Sequence, residues 1–244
     1  MISHRGFSHS APENTLSSVI QSIEVGADYC EFDVRMTSDG QVVLMHDRFV
    51  DRTTDGTGVV DKMTLDELLE LDAGSWKGEA FTGEKIATLD VVLQKLKLTQ
   101  QVPVIEIKDN LAAPMVVDCV MGNSMADRVV LLSPDEKTLK LIRTIDRRIR
   151  RAFLCQSFPR GLVSVPNRTE WLCEIAGHVG VDIINIDYRY LSKDMIAGLQ
   201  KHGLEVWSWT VNVPEIMKCL AGWGIDAITS DRPDLLIEVS KSNY

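Results

Sequence analysis

Arg128-Val129-Val130-Leu131-Leu132-Ser133-Pro134-Asp135-Glu136 reads as one strand delivered into one helix. The apolar run is too short for a buried helix and rich in β-branched residues, so it predicts a strand over Arg128 to Leu132. Ser133 followed three residues later by Glu136 has the spacing of a capping box. Proline at the first helical position costs nothing, because the N–H it lacks would have no partner there. Seven further runs can be read the same way: Met1 to Ser3, Asp28 to Arg35, Val102 to Lys108, Arg151 to Cys155, Val181 to Ile186, Leu204 to Thr210 and Ile225 to Ser230. Each is followed by an amphipathic helical stretch. Eight strand-helix units in succession predict an α/β fold, a single (β/α)₈ TIM barrel occupying residues 1–244.

Local chemistry supports the helix boundaries. Thr64-Leu65-Asp66-Glu67 repeats the capping box, Asn14, Thr88 and Ser192 read as caps, and Gly26 and Gly203 stand where left-handed helix ends favour glycine. The alternation breaks from about residue 42 to about residue 87, a small insertion after the second strand. Within it Val42 to His46 reads as a short extra strand, Asp55-Gly56-Thr57-Gly58 as a hairpin and Thr64 to Leu71 as one helix. No Gly-Lys-Ser/Thr follows the glycines, so they are not a phosphate loop.

Composition narrows the function classes. The chain is 45% apolar and 25% charged, with no run near the roughly 18 apolar residues of a membrane span. A net charge of −9 speaks against nucleic acid as a partner and leaves small anions open, provided positive charge is gathered locally. Cys30, Cys119, Cys155, Cys173 and Cys219 are odd in number and contain no C-x-x-C pair, so buried free thiols are expected. With no basic start and apolar run at the N-terminus, a cytoplasmic location is expected.

In such barrels catalytic groups gather where strands end. There the sequence places His4-Arg5, Glu31 and Asp33, His46, Glu106 and Lys108, Trp209 and Asn212, and Ser230-Asp231. Side chains two apart share a face of a strand, so Glu31 would point with Asp33 and Glu106 with Lys108. Three carboxylates converging on the barrel interior repel one another unless a cation neutralises them. An all-oxygen set suits Mg²⁺ or Ca²⁺, with Mn²⁺ also admitted, better than zinc.

The chain resembles the glycerophosphodiester phosphodiesterase family in His4-Arg5-Gly6, Pro12-Glu13-Asn14-Thr15, Glu31-Phe32-Asp33-Val34, His46-Asp47, residues 51–58, Glu106-Ile107-Lys108, Trp209-Thr210-Val211-Asn212 and Ser230-Asp231-Arg232-Pro233, in the family's order. The resemblance implies one divalent cation on Glu31, Asp33 and Glu106, with His4 and His46 as an acid/base pair. It also implies hydrolysis of glycerophosphodiesters to sn-glycerol 3-phosphate and an alcohol. Arg5 would grip the phosphate bidentately and Lys108 would add positive charge. Trp209 reads equally as core packing and as a wall for the glycerol moiety. The nucleophile is left as water or the substrate's own 2-hydroxyl.

There are two departures from the family pattern. Strand one is only three residues long, and Leu132-Ser133-Pro134 lacks the aromatic expected after the serine, which bears on a substrate contact. Glu13 and Asn14 read as organisers of the first helix entry, Asn212 as a cap, His9 as a solvated loop residue, and His178 and His202 as surface residues. Two rival functions share these residues. One is lysophospholipase D-like hydrolysis of lysolipids through an apolar entrance supplied by Trp76 and Phe81; the other is a non-catalytic barrel binding a phosphorylated ligand.

Overall fold

A computed structural model describes residues 1–242. Its strands are β1 (Ile2–Ser3), β2 (Tyr29–Met36), β3 (Val42–Leu44), β4 (Val102–Ile107), β5 (Val130–Ser133), β6 (Arg150–Cys155), β7 (Ile183–Asp187), β8 (Glu205–Trp209) and β9 (Ala227–Ser230). All but β3 are parallel and close on themselves, because β1 pairs with β9 on one side and β2 on the other. The α-helices are α1 (Leu16–Val25), α2 (Leu65–Glu70), α3 (Leu89–Lys97), α4 (Ala113–Gly122), α5 (Glu136–Ile145), α6 (Val165–Val179), α7 (Lys193–Lys201), α8 (Pro214–Gly222) and α9 (Pro233–Ser242). Apart from α2, which lies in the insertion, they form the outer ring of a (β/α)₈ barrel.

Strand parity makes two cores. Ile2, Val104, Val130, Leu132, Ala152, Leu154, Ile183, Trp207 and Ala227 fill the barrel, with Tyr29 edge-on to Trp207 at 5.2 Å between ring centroids. Residues of the opposite parity, such as Phe32, Ile105 and Leu131, pack under the helices. Phe32 is fully buried, so its truncation to Ala should cost about 3–5 kcal/mol.

The shortness of β1 explains where the insertion goes. β1 pairs only Ile2 with Tyr29 and Ser3 with Cys30, which would leave the upper half of β2 with an unpaired edge. The chain completes that edge in steps. Gly6 N–H donates to the Glu31 carbonyl, Met45 N–H donates to the Asp33 carbonyl, and β3 runs antiparallel over Val34–Met36. The same ladder therefore brings His4 and His46 to the side of Glu31 and Asp33. The insertion is held by a small core of its own, comprising Val43, Met45, Val50, Val60, Leu68, Ala73 and Ile86.

Several local expectations shift. α5 is capped by Asp135, whose carboxylate accepts from Thr138 N–H at 2.8 Å. Ser133 is still paired in the sheet, and its hydroxyl accepts from Asp135 N–H, so Pro134 sits in the turn. α1 is capped by Thr15 rather than Asn14, and α8 follows Val213 with no side-chain cap from Asn212. Residues 55–58 do turn the chain, but only an isolated Phe49–Val59 bridge pairs its arms. Thr64, Thr88 and Ser192 cap as expected, and Gly26 takes φ +83°. The five cysteines are free, but Cys219 is exposed and only Cys30 and Cys155 are fully buried. Among the described residues no helix is long and apolar enough to cross a membrane.

Candidate active site

At the C-terminal end of the strands, Glu31, Asp33 and Glu106 each offer an oxygen within 4.8 Å of the others, and all three are buried. Asp33 and Glu106 are register partners on β2 and β4, and Glu31 lies two residues below Asp33 on the same face. Burial and repulsion from Asp33 push the Glu31 carboxyl up to about 8. Burial and Asp33 also raise Glu106. Asp33 goes the other way: burial is outweighed by Lys108, Arg5 and His46, and by an Asn14 hydrogen bond. Lys108 Nζ lies 3.0 Å from Asp33 and 2.5 Å from Glu106, and these two anions hold its pKa up against burial. Even with two cations nearby, one carboxyl prefers its proton at neutral pH. The set is short of positive charge and fits a hard divalent cation.

The first loop is locked onto this set. Arg5 adopts φ +54°, a left-handed conformation costing roughly 1–2 kcal/mol outside glycine. Three main-chain contacts hold it: Arg5 N–H donates to Glu31 Oε2, Gly6 N–H to the Glu31 carbonyl, and Asn14 N–H to the Arg5 carbonyl. Gly6, at φ +75°, has no room for a Cβ, which would meet Ser18 at 2.4 Å. Asn14 clamps Asp33 twice, donating from Nδ2 to its carboxylate at 2.9 Å and accepting its N–H at 3.0 Å.

Each histidine has a carboxylate behind it. His4 Nδ1 is 2.6 Å from Asp231, which also accepts from Asn212 and Ser8. Burial acts to lower the His4 pKa, but the Asp231 hydrogen bond and the Glu31 charge prevail and raise it. His46 Nδ1 is 2.6 Å from Asp47, yet burial, with Arg5 and Lys108, lowers its pKa. Arg52 bonds both Asp47 and Glu13, and Glu13 accepts from Arg5 Nη1 at 2.7 Å. A continuous chain of charges thus joins His46 to Arg5.

His4, Arg5, Glu31, His46, Glu106, Lys108 and Trp209 border one cleft of about 120 Å³, and Asp33 lies beneath it, 1% exposed. The residues singled out from sequence are therefore brought together. His9, His178 and His202 lie outside it on the surface. Trp209 serves both readings, packing on the barrel interior and walling the cleft. Ser133 is fully buried at the end of β5, with its hydroxyl accepting from Asp135 N–H, and it does not line the cleft. The neighbouring cavity, about 500 Å³, shares Lys108 and is lined by Arg35, Arg48, Asp61 and Asp109. The insertion reaches it through Arg48 and Asp61, whereas Trp76 and Phe81 line neither space.

Sequence reasoning placed Asp231 at the rim and Asp47 in the matched motif without assigning either to a histidine, and it missed the Asn14 clamp. Asp231 was within reach, since it follows Thr229 by the two residues that keep one strand face. The Asn14 clamp depends on its left-handed backbone (φ +57°), which sequence alone does not announce.

The sequence profile of the Glycerophosphoryl diester phosphodiesterase family matches residues 4–235. A Glycerophosphodiester phosphodiesterase of Caldanaerobacter subterraneus subsp. tengcongensis is 32% identical over 244 residues, covering 98% of this chain and 96% of its own. One from Bacillus subtilis is 30% identical over 260 residues, covering 98% and 86%. The structure of an Oleispira antarctica phosphodiesterase in complex with the product sn-glycerol-3-phosphate superposes with a TM-score of 0.90 at 27% identity, covering 98% of this chain and 96% of that one.

Proposed function

The chain belongs to the glycerophosphoryl diester phosphodiesterase family, and on that premise we propose that it hydrolyses glycerophosphodiesters to sn-glycerol 3-phosphate and an alcohol. It is an enzyme, a phosphoric diester hydrolase. The observation that carries the mechanistic reading is the flanking of three buried carboxylates by two histidines, each backed by its own aspartate. Residues 1–244 are read as one barrel domain bearing its insertion at about 42–87, working in the cytoplasm on a small-molecule diester.

Glu31, Asp33 and Glu106 are the residues that would hold one divalent cation, Mg²⁺, Ca²⁺ or Mn²⁺. When bound, the cation supplies Lewis-acid neutralisation of charge growing on the phosphoryl oxygens. Arg5 supplies the second positive group, with its guanidinium fixed by Glu13 so that its fork meets the phosphate without reorganising. Lys108 adds charge on the leaving-group side, where it borders both cavities.

Acid/base work falls to the histidines. With Nδ1 of each ring tied to a carboxylate, Nε2 is the atom that exchanges a proton with the reacting oxygens. Their opposed shifts favour one protonated and one neutral ring together, the state that removing one proton while delivering another requires. The larger cavity offers charged partners for a polar alcohol in Arg35, Arg48, Asp61 and Asp109, beside apolar surface from Met36, Val60 and Leu111, so lysolipids belong in the test as well. The test is an assay of glycerophosphodiesters and lysolipids with and without chelator. Activity on the former that EDTA abolishes and Mg²⁺, Ca²⁺ or Mn²⁺ restores supports the reading, and full activity after dialysis against EDTA overturns its metal part.

A further inference from the structure

Asn185 has no place in the chemistry described so far. It lies on β7 with the interior parity, between Ile183 and Asp187, and is 4% exposed. It borders the active-site cleft, and its Oδ1 is buried without a hydrogen-bond partner. A buried amide oxygen left unmatched costs about 1–3 kcal/mol, so a partner from outside the protein is expected in the working complex. On the adjoining strand, Trp209 lines the same cleft and its indole Nε1 is likewise buried and unpartnered. The register pairs Trp209 with Asp187, placing the indole one layer nearer the rim than Asn185.

These two atoms discriminate among ligand groups. The amide oxygen needs a donor and the indole N–H needs an acceptor. An ionised phosphodiester only accepts and an ammonium only donates, whereas a hydroxyl does both. Position identifies which hydroxyl. Around the barrel, β7 is four strands from β2 in either direction, so Asn185 stands across the interior from Glu31 and Asp33. With the phosphate at the carboxylates, Arg5 and Lys108, the part of a glycerol chain that crosses to β7 is its far end.

We propose that Asn185 is a specificity-determining residue that accepts a hydrogen bond from the terminal hydroxyl of the substrate's glycerol, while Trp209 donates to a glycerol oxygen. The inference rests on the hydrolase reading above and sharpens it. A lysolipid acylated at that hydroxyl has no proton to give and leaves Asn185 unmatched. A site built around a substrate hydroxyl rejects the analogue lacking it far more strongly than an apolar pocket would.

The test uses two esters with the same leaving group, sn-glycerol 3-(p-nitrophenyl phosphate) and its 2-hydroxypropyl counterpart, which lacks only the terminal hydroxyl. The 2-hydroxyl is kept in both, so the comparison holds whether water or that hydroxyl attacks. Wild type should favour the glyceryl ester in kcat/KM by at least about tenfold, chiefly through KM. In Asn185→Leu and Asn185→Ser the preference should fall to within about twofold of unity. Thermal stabilisation by sn-glycerol 3-phosphate relative to 1,2-propanediol 1-phosphate (2-hydroxypropyl phosphate) gives the same ratio without turnover, and it decides the matter should a variant be inactive. Asn185→Leu should melt no lower than wild type without ligand, because it removes an unmatched polar atom. If the variants keep the wild-type preference, or wild type treats the two esters alike, the assignment of Asn185 is overturned and the hydrolase reading stands. If wild type hydrolyses neither ester but both phosphates stabilise it equally, both fall.

Discussion

Glu31→Gln isolates the electrostatic tension at the centre of the site. Glu31 is held at about 8 against an ordinary 4.5, and each tenfold step in proton affinity is worth about 1.4 kcal/mol. Forcing it to ionise in the metal-free protein therefore costs on the order of 5 kcal/mol, and less where Glu106, itself raised by burial and Asp33, shares the proton. The sign follows from proton counting. Between pH 4.5 and 8 the folded state holds a proton that the unfolded chain has released, so stability is full below about 4.5 and falls as pH rises through 8. Gln keeps the acceptor for the Arg5 N–H, which now meets Glu31 Oε2 at 2.9 Å, but carries no charge. In denaturant unfolding with EDTA, wild type and Glu31→Gln should be alike at pH 5, and at pH 8 the variant should be the more stable by up to about 5 kcal/mol. Against a total of about 5–15 kcal/mol, that gap is readily measured. Saturating Mg²⁺ or Ca²⁺ should reverse the order at pH 8 by stabilising wild type alone. Equal stability of the two proteins at pH 8 in EDTA, or equal stabilisation of both by the cation, would refute the reasoning.

Other expectations follow from the same geometry. His4→Ala and His46→Ala should each lower kcat by on the order of 10² to 10⁴, with the double variant little worse than the poorer single, and a p-nitrophenyl leaving group should rescue the variant lacking the acid. Near wild-type kcat in both would remove the pair from the mechanism. Because Asp231 helps raise the His4 pKa, Asp231→Asn should shift that limb of the pH profile downward. The same variant should lose the stability that His4 contributes below its ordinary pKa and that wild type loses as pH rises through the raised one; NMR titration of the ring checks both. Arg48→Ala should change the preference among leaving alcohols in a competition assay more than Trp76→Ala or Phe81→Ala, since only Arg48 lines the cavity beside Lys108.

The barrel was legible because each βα unit announces itself locally, through a short β-branched run, a cap and a helical stripe. The carboxylates were legible for a related reason: period-two spacing in Glu31-Phe32-Asp33 and Glu106-Ile107-Lys108 puts charge on a face that a parallel barrel buries. Less visible was anything depending on backbone sign or distant closure. Asn14 resembles a cap in sequence and becomes a clamp only through a left-handed backbone, and Asn212 resembles a cap yet bonds Ser230 and Asp231 instead. Asn185 is hidden because an interior asparagine in an apolar strand carries no spacing signal. Ser133 misled for a simpler reason, since sheet pairing extends one residue further than its capping spacing suggests.

The hydrogen bond between His4 and Asp231 joins residues 227 positions apart. During synthesis, His4 emerges with the first strand and has no carboxylate behind it until the last strand has left the ribosome and docked. On the role proposed for His4, hydrolytic competence would be tied to completion of the ring, and a nascent or proteolytically nicked chain that has not sealed β1 against β9 would hold substrate groups without a poised imidazole. Such a distant contact also belongs among the slow steps of folding. Recovery of activity after dilution from denaturant should therefore lag the return of helical signal, making turnover itself a reporter of the final closure event.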